Sequence, residues 1–274
     1  MNTSIRKVLL MALLPALVVS CKKEKQPDGG RPDLDIETAP PVQKAMHKKI
    51  SDNIPGFYQS LPARYGSTAK KYPLLIFMHG AGEKGDGGEK LNLVLKNSVP
   101  KLISEEKFPA SFRVRDEHHS FVVISPQTIS NSTPEDINST IDYAVESLRI
   151  DEKRVYIIGV SMGGGAAWNA AAKYGARIAA VAPMCGATSV SESKAKAIAD
   201  NKVAVWAFHN EDDERVNVST TENFITYINN STPAVTAKST IWPTGGHDSW
   251  TKASDPALQV EGMNVYEWLL QFKK

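Results

Sequence analysis

The chain has 274 residues, 42% of them hydrophobic and 23% charged, with a formal net charge of +2. This is ordinary globular composition, long enough for one large α/β domain. It gives no basis for a nucleic-acid partner or a basic membrane-binding surface.

The first 21 residues stand apart. Arg6 and Lys7 precede an almost wholly apolar run over 8–19, too short for a comfortable membrane span. That is the layout of a signal peptide. Val18-Val19-Ser20-Cys21 resembles a bacterial lipobox, in which Cys21 is lipidated and becomes the new N-terminus. Removing 1–20 takes two basic residues and no acid, leaving 30 Lys and Arg against 30 Asp and Glu. With Cys21 lipidated, Cys185 has no cysteine left to pair with. Residues 21–41 are rich in Lys, Pro, Gly and Asp, and read as a flexible tether. The expected location is the bacterial cell envelope, with the protein anchored through Cys21.

The catalytic domain is expected over 42–274. A short edge strand is expected at 56–58. Residues 72–78 (YPLLIFM) predict a buried strand, running into His79-Gly80-Ala81-Gly82. Residues 82–88 read as a flexible glycine loop, and lack the spacing of a phosphate loop. Residues 91–105 predict an amphipathic helix interrupted at Pro100. Asp116-Glu117-His118-His119 invites a metal reading, but neighbouring side chains in an extended loop point apart, so a solvated loop is expected. Residues 121–125 (FVVIS) predict a strand stopped by Pro126. Thr133 should cap a helix running to about 149, with Pro134 in its first turn.

Residues 155–158 (VYII) then lead into Gly159-Val160-Ser161-Met162-Gly163, followed by a small-residue helical segment. Strand, G-x-S-x-G turn and helix together make the nucleophile elbow of an α/β-hydrolase. The strained turn lifts the serine hydroxyl clear of the sheet. The glycines are needed because strand and helix backbones approach closely. Further strands are expected at 178–184, 203–208 and 238–242, with helices at 220–229 and 256–271. This alternation implies a mostly parallel, doubly wound sheet with helices on both faces and no large lid.

An elbow serine requires an acid and then a histidine further along the chain. Only His209 and His247 follow Ser161. His209 leaves its strand before any acid of the next loop. His247 lies in a glycine-rich loop after the 238–242 strand, where the base belongs. The acid should come from Glu211-Asp212-Asp213-Glu214, among which residue type does not choose. The Met162 N–H and the Ala81 N–H, with Gly82 the alternative to Ala81, are the expected oxyanion donors.

The segments around His79-Gly80-Ala81-Gly82-Glu83, Gly159 to Gly164, Val205 to Asp213 and Gly246 to Trp250 resemble esterases related to polyhydroxybutyrate depolymerases and family 1 carbohydrate esterases. Such proteins read H-G-x-x-D-x-x-V at the acid loop. Matching His209 and Val216 to that pattern implies Asp213 as the acid. Asn210 and Arg215 depart from it, and Asp212 stays an alternative. The resemblance implies a serine esterase, with feruloyl or acetyl esters of carbohydrates as substrates and no cofactor or metal. Prolyl-oligopeptidase-like peptidases and a non-catalytic hydrolase-fold binding protein are the other readings. Trp250 is the candidate to stack on a sugar or aromatic acyl group, and Trp168 is assigned to the core.

Overall fold

A computed structural model describes residues 36–274. The leader, Cys21 and most of the tether expected over 21–41 lie outside the described residues. Within its described end, Glu37 is buried and its carboxylate accepts the Arg64 backbone N–H.

Among the described residues ten strands form in chain order: β1 (Val42–Met46), β2 (Gly56–Leu61), β3 (Tyr72–Met78), β4 (Phe112–Val114), β5 (Glu117–His119), β6 (Val122–Gln127), β7 (Ile150–Val160), β8 (Ala180–Met184), β9 (Ala204–Asn210) and β10 (Lys238–Trp242). The helices are α1 (Ser98–Ser104), α2 (Pro134–Ser147), α3 (Met162–Tyr174), α4 (Glu192–Asp200), α5 (Ser219–Asn230), α6 (Trp250–Ala253) and α7 (Val265–Leu269). Eight strands make one sheet in the order β1-β2-β6-β3-β7-β8-β9-β10. The six from β6 to β10 run parallel, and β1 and β2 pair antiparallel at one side. This is the α/β-hydrolase architecture expected from the sequence.

Both faces of the sheet are covered, which is why its strands read as continuous apolar runs. In β3, Leu74 and Ile76 face a core shared with Ile137 and Ile141 of α2, Trp168 of α3, Ile198 of α4 and Phe224 of α5. Leu75 and Phe77 face the other core, with Val99 and Ile103 of α1 and Tyr266 and Leu269 of α7. Trp168 stacks on Phe224 at 4.3 Å, in the core as expected. The parallel strands end together at the edge that carries Gly80, Ser161, Asp213 and His247.

Several expectations are corrected. The 56–58 strand is not the edge. β1 covers it, and β1 was illegible because its exposed, polar VQKAM pattern has little alternation. β6 runs through Pro126, since its pairing with β3 has ended at Ile124 and only β2 continues alongside. The 91–105 helix breaks at Asn97 rather than Pro100, which sits in the first turn of α1 where its missing N–H costs nothing. Residues 117–119 form β5, one strand of the hairpin β4–β5, and Asp116 lies in its turn, so the segment is not a solvated loop. The closing helix is reduced to α7. Glu261 and Gly262 adopt positive φ and stop any helix there, and Asn264 and Glu267 then form a capping box that starts α7 late. α4 gave no expectation. Thr133 and Asp136 form a capping box at the head of α2, as the sequence implies. Among the described residues no helix is long and apolar enough to cross a membrane.

Candidate active site

The elbow is built by backbone contact. A Cβ on Gly159 would lie 2.2 Å from the Gly163 carbonyl, and one on Gly163 would lie 2.1 Å from the Met78 carbonyl. Only glycine lets β7, α3 and β3 meet this closely. Ser161 between them sits at φ 52°, a strained conformation for a residue with a side chain. Its backbone is pinned on both sides: its N–H donates to the Met184 carbonyl, and its own carbonyl accepts from Gly165 and Ala187.

The Ser161 Oγ lies 2.8 Å from His247 Nε2, and His247 Nδ1 lies 2.8 Å from Asp213 Oδ2. A carboxylate can only accept, so Nδ1 carries the ring proton and Nε2 is left to accept from the serine hydroxyl. The other Asp213 oxygen accepts the backbone N–H groups of Arg215 and Val216 at 2.8 and 3.0 Å. Burial pushes the Asp213 carboxyl upward. The hydrogen bonds from His247, Val216 and Arg215 outweigh that and hold it below the usual carboxylate range.

Asp212, the alternative acid, points elsewhere. Its two oxygens accept the N–H groups of Gly245 and Gly246 at 3.2 and 2.7 Å. Asn210 donates to the Gly246 carbonyl at 2.9 Å. The two side chains clamp the turn that presents His247. Gly245 and Gly246 both have positive φ, and a Cβ on Gly245 would lie 2.6 Å from the Asn210 amide. Asn210, where glycine is usual, thus gains a use that the sequence did not reveal. Below the turn, the Cys185 thiol donates to the His247 carbonyl at 3.2 Å. Burial pushes that thiol up to about 12, so it stays protonated and able to donate.

Two buried histidines complete the frame. His209 Nε2 lies 2.9 Å from the Val216 carbonyl and 3.2 Å from Asp213 Oδ2. Both are acceptors, so Nε2 carries the proton and Nδ1 accepts from the Thr221 hydroxyl. His209 therefore ties down the Val216 carbonyl, while its ring stands beside the carboxylate that His247 contacts. His79 Nε2 accepts the Thr128 N–H, and its Nδ1–H donates to the Gly80 carbonyl at 2.6 Å. Burial lowers its pKa to about 4, which keeps the ring neutral at neutral pH. The Gly80 carbonyl also accepts from Glu83, and the loop before Ala81 is fixed from two sides.

Ala81 and Met162 each open a helical turn, so neither N–H has an acceptor within its own turn. A Cβ placed on Gly80 would come within 3.7 Å of the Ser161 Cβ, which puts the two donor loops side by side. Gly82 is exposed one residue further on. The glycine loop over 82–88 is not loose. Buried Gln127 accepts from the Gly87 N–H and donates to the Glu83 and Lys90 carbonyls. Trp250 is half-buried, with its ring edge-to-face against His247 at 5.4 Å between centroids. His118 and His119 lie apart from this site. His118 Nδ1 is 3.4 Å from the Ser111 hydroxyl, and His119 lies 3.3 Å from Glu117.

A phospholipase/carboxylesterase family model matches residues 66–257. The chain belongs to this family of α/β-hydrolases. The membership agrees with the esterase resemblance of the motifs and makes the protein a hydrolase of the serine kind. A bifunctional acetylxylan esterase/xylanase of Neocallimastix patriciarum is 30% identical over 118 residues, 40% of this chain. The match spans only 17% of that relative. Among solved structures, a thermostable esterase superposes with a TM-score of 0.60 at 23% identity, covering 88% of this chain and 64% of that one. A mutant of the feruloyl esterase module from Clostridium thermocellum gives 0.53 at 16%, covering 77% and 83%. Fluorophosphonate-binding serine hydrolase F of Staphylococcus aureus gives 0.56 at 16%, covering 78% and 95%. At these identities the structural matches speak for the fold.

Proposed function

We propose that this serine hydrolase is a carboxylic-ester hydrolase working through an acyl-enzyme, with Ser161 as nucleophile, His247 as base and Asp213 as the acid that orients it. The carrying observation is the unbroken line from the Ser161 hydroxyl through His247 to Asp213, with a 2.8 Å contact on each side of the imidazole. His247 Nε2 takes the serine proton as Oγ attacks the ester carbonyl. The developing oxyanion is received by the N–H groups of Met162 and Ala81. His247 then protonates the leaving alcohol. Water, deprotonated by the same nitrogen, releases the acid and frees Ser161. No step asks for a metal or other cofactor.

The substrate class in this proposal is acetylated or feruloylated carbohydrate. Its support is the esterase motif set together with the acetylxylan esterase relative. The proposal includes lipidation at Cys21, which would hold the enzyme at the cell envelope near glycan fragments. Its support is the lipobox-like run before Cys21.

Protein lacking residues 1–21 should hydrolyse p-nitrophenyl acetate, and Ser161→Ala should not. Equal activity of the two would end the assignment. Assay on acetylated and feruloylated oligosaccharides tests the substrate class, and cleavage of small esters alone would reduce the reading to a small-ester carboxylesterase. Metabolic labelling with a fatty acid, lost in Cys21→Ser, tests the anchor.

A further inference from the structure

Asn97 occupies the N-cap position of α1, yet its side chain makes no bond to the helix it precedes. Capping is the usual use of asparagine there. Instead its amide Nδ2 donates to Glu83 Oε1 at 3.0 Å, and its Oδ1 accepts the indole N–H of Trp250 at 3.2 Å. The partners leave no choice of orientation. A carboxylate cannot donate and an indole cannot accept, so only a group with both a donor and an acceptor fits between them.

The neighbouring residue reinforces the join. Ser98 is held at φ 52°, and its hydroxyl is hydrogen-bonded to that of Ser254. Residues 97 and 98 thus grip α6 at both ends, through Trp250 at its start and Ser254 just beyond its last residue. Trp250 lies three residues after His247 and packs its ring against the imidazole. Glu83, at the other end, is buried beside the oxyanion loop. The point 3.1 Å from its Oε2, where a Gly80 Cβ would stand, lies 3.7 Å from the Ser161 Cβ. The ionisable groups beside these residues include Lys96 near Glu83, Lys84 near His79 at the oxyanion loop, and Asp213 and Cys185 beside His247.

We infer that Glu83, Asn97 and Trp250 form a bridge from the oxyanion loop to the base loop, and that this bridge positions the His247 ring for proton transfer with Ser161. The three are positioning residues: they act through His247 and the Gly80–Ala81 backbone. A strained residue beside a cap that does not cap is the kind of local compromise found where a site is held. On this account the Trp250 ring serves the base, and stacking on a sugar is not its main use. The inference rests on the proposed esterase chemistry for its kinetic test only.

Asn97→Ala and Trp250→Phe should each lower kcat on p-nitrophenyl acetate about three- to tenfold, the range expected when one hydrogen bond is lost, with KM changed less than about twofold. The double variant should be no slower than the slower single variant, because both cut the same connection. Glu83→Gln keeps an acceptor for Asn97 and should lose less than Asn97→Asp, which sets two carboxylates face to face. A readout independent of turnover is the downfield proton resonance of the His247 Nδ1–H held by Asp213. It should shift or broaden in Asn97→Ala. A raised KM with unchanged kcat in Trp250→Phe would overturn the inference and return Trp250 to a substrate-stacking role. Additive losses in the double variant, or an unmoved resonance, would also overturn it. If the wild type cleaves no ester, the proposed function fails while the resonance still judges the bridge. Should Asn97→Ala not fold, Trp250→Phe carries the same resonance test.

Discussion

The proposed nucleophile and the proposed base are held in opposite ways. Ser161 is fixed by backbone sterics: two glycines let a strand and a helix close around it, and its own N–H and carbonyl are tied to the neighbouring strand and to the start of α3. His247 sits on a turn with no such backbone compression. Side chains hold it: Asn210 from the end of β9 and Asp212 from the loop that follows, Cys185 from below, and Trp250 with Asn97 from the side. The first design fails all at once when a methyl is added. The second should lose function by degrees as its supports are removed.

That contrast can be broken most strongly at the carboxylate. Asp213→Asn should lower kcat by a factor on the order of 10³ to 10⁴, by analogy with the triad aspartate, since the amide favours the wrong imidazole tautomer. Kinetics on a p-nitrophenyl ester would check this, and a larger loss in Asp212→Asn would reverse the two roles. At the elbow, Gly163→Ala puts a Cβ against the Met78 carbonyl. It should cost about 3 kcal/mol or more of stability, read from the urea midpoint, and remove activity with it. On the base side, Asp212→Asn and Asn210→Ala should each cost only about two- to tenfold in kcat, with little change in the urea midpoint.

A further effect, confined to acid pH, sharpens the picture at the oxyanion loop. Folded His79 takes a proton only near pH 4, while in the unfolded chain it does so near 6.5. Its folded pKa is depressed, so above pH 6.5 its contribution to stability is fully present. As pH falls from about 6.5 to about 4, the unfolded state binds the proton first and that stability is lost, amounting to about 3 kcal/mol at most. Thermal melts should show a shallower decline over this window in His79→Ala than in the wild type. Parallel pH curves would place the acid sensitivity elsewhere.

The sequence by itself determined the elbow and the main parallel strands. Their constraints are local: an apolar run covered on both faces, a serine between glycines, a capped helix start. It also narrowed the candidate base to His247, because chain order left few candidates. Residue type could not decide which of Asp212 and Asp213 meets the imidazole, and only the family resemblance pointed to Asp213. Both are acids in one short loop, and the choice depends on how that loop crosses the glycine turn some thirty residues later. The same reason hid the uses of Asn210, Gln127, His79, His209 and Asn97. Each acts through one or two hydrogen bonds to partners distant in the chain, and a polar residue with a remote partner looks, in sequence, like any other polar residue. β1 escaped for the complementary reason, since an exposed edge strand is specified by its neighbour's backbone and asks little of its own side chains. Tertiary structure decided these points because hydrogen bonds between loops depend on distances that only the folded sheet sets.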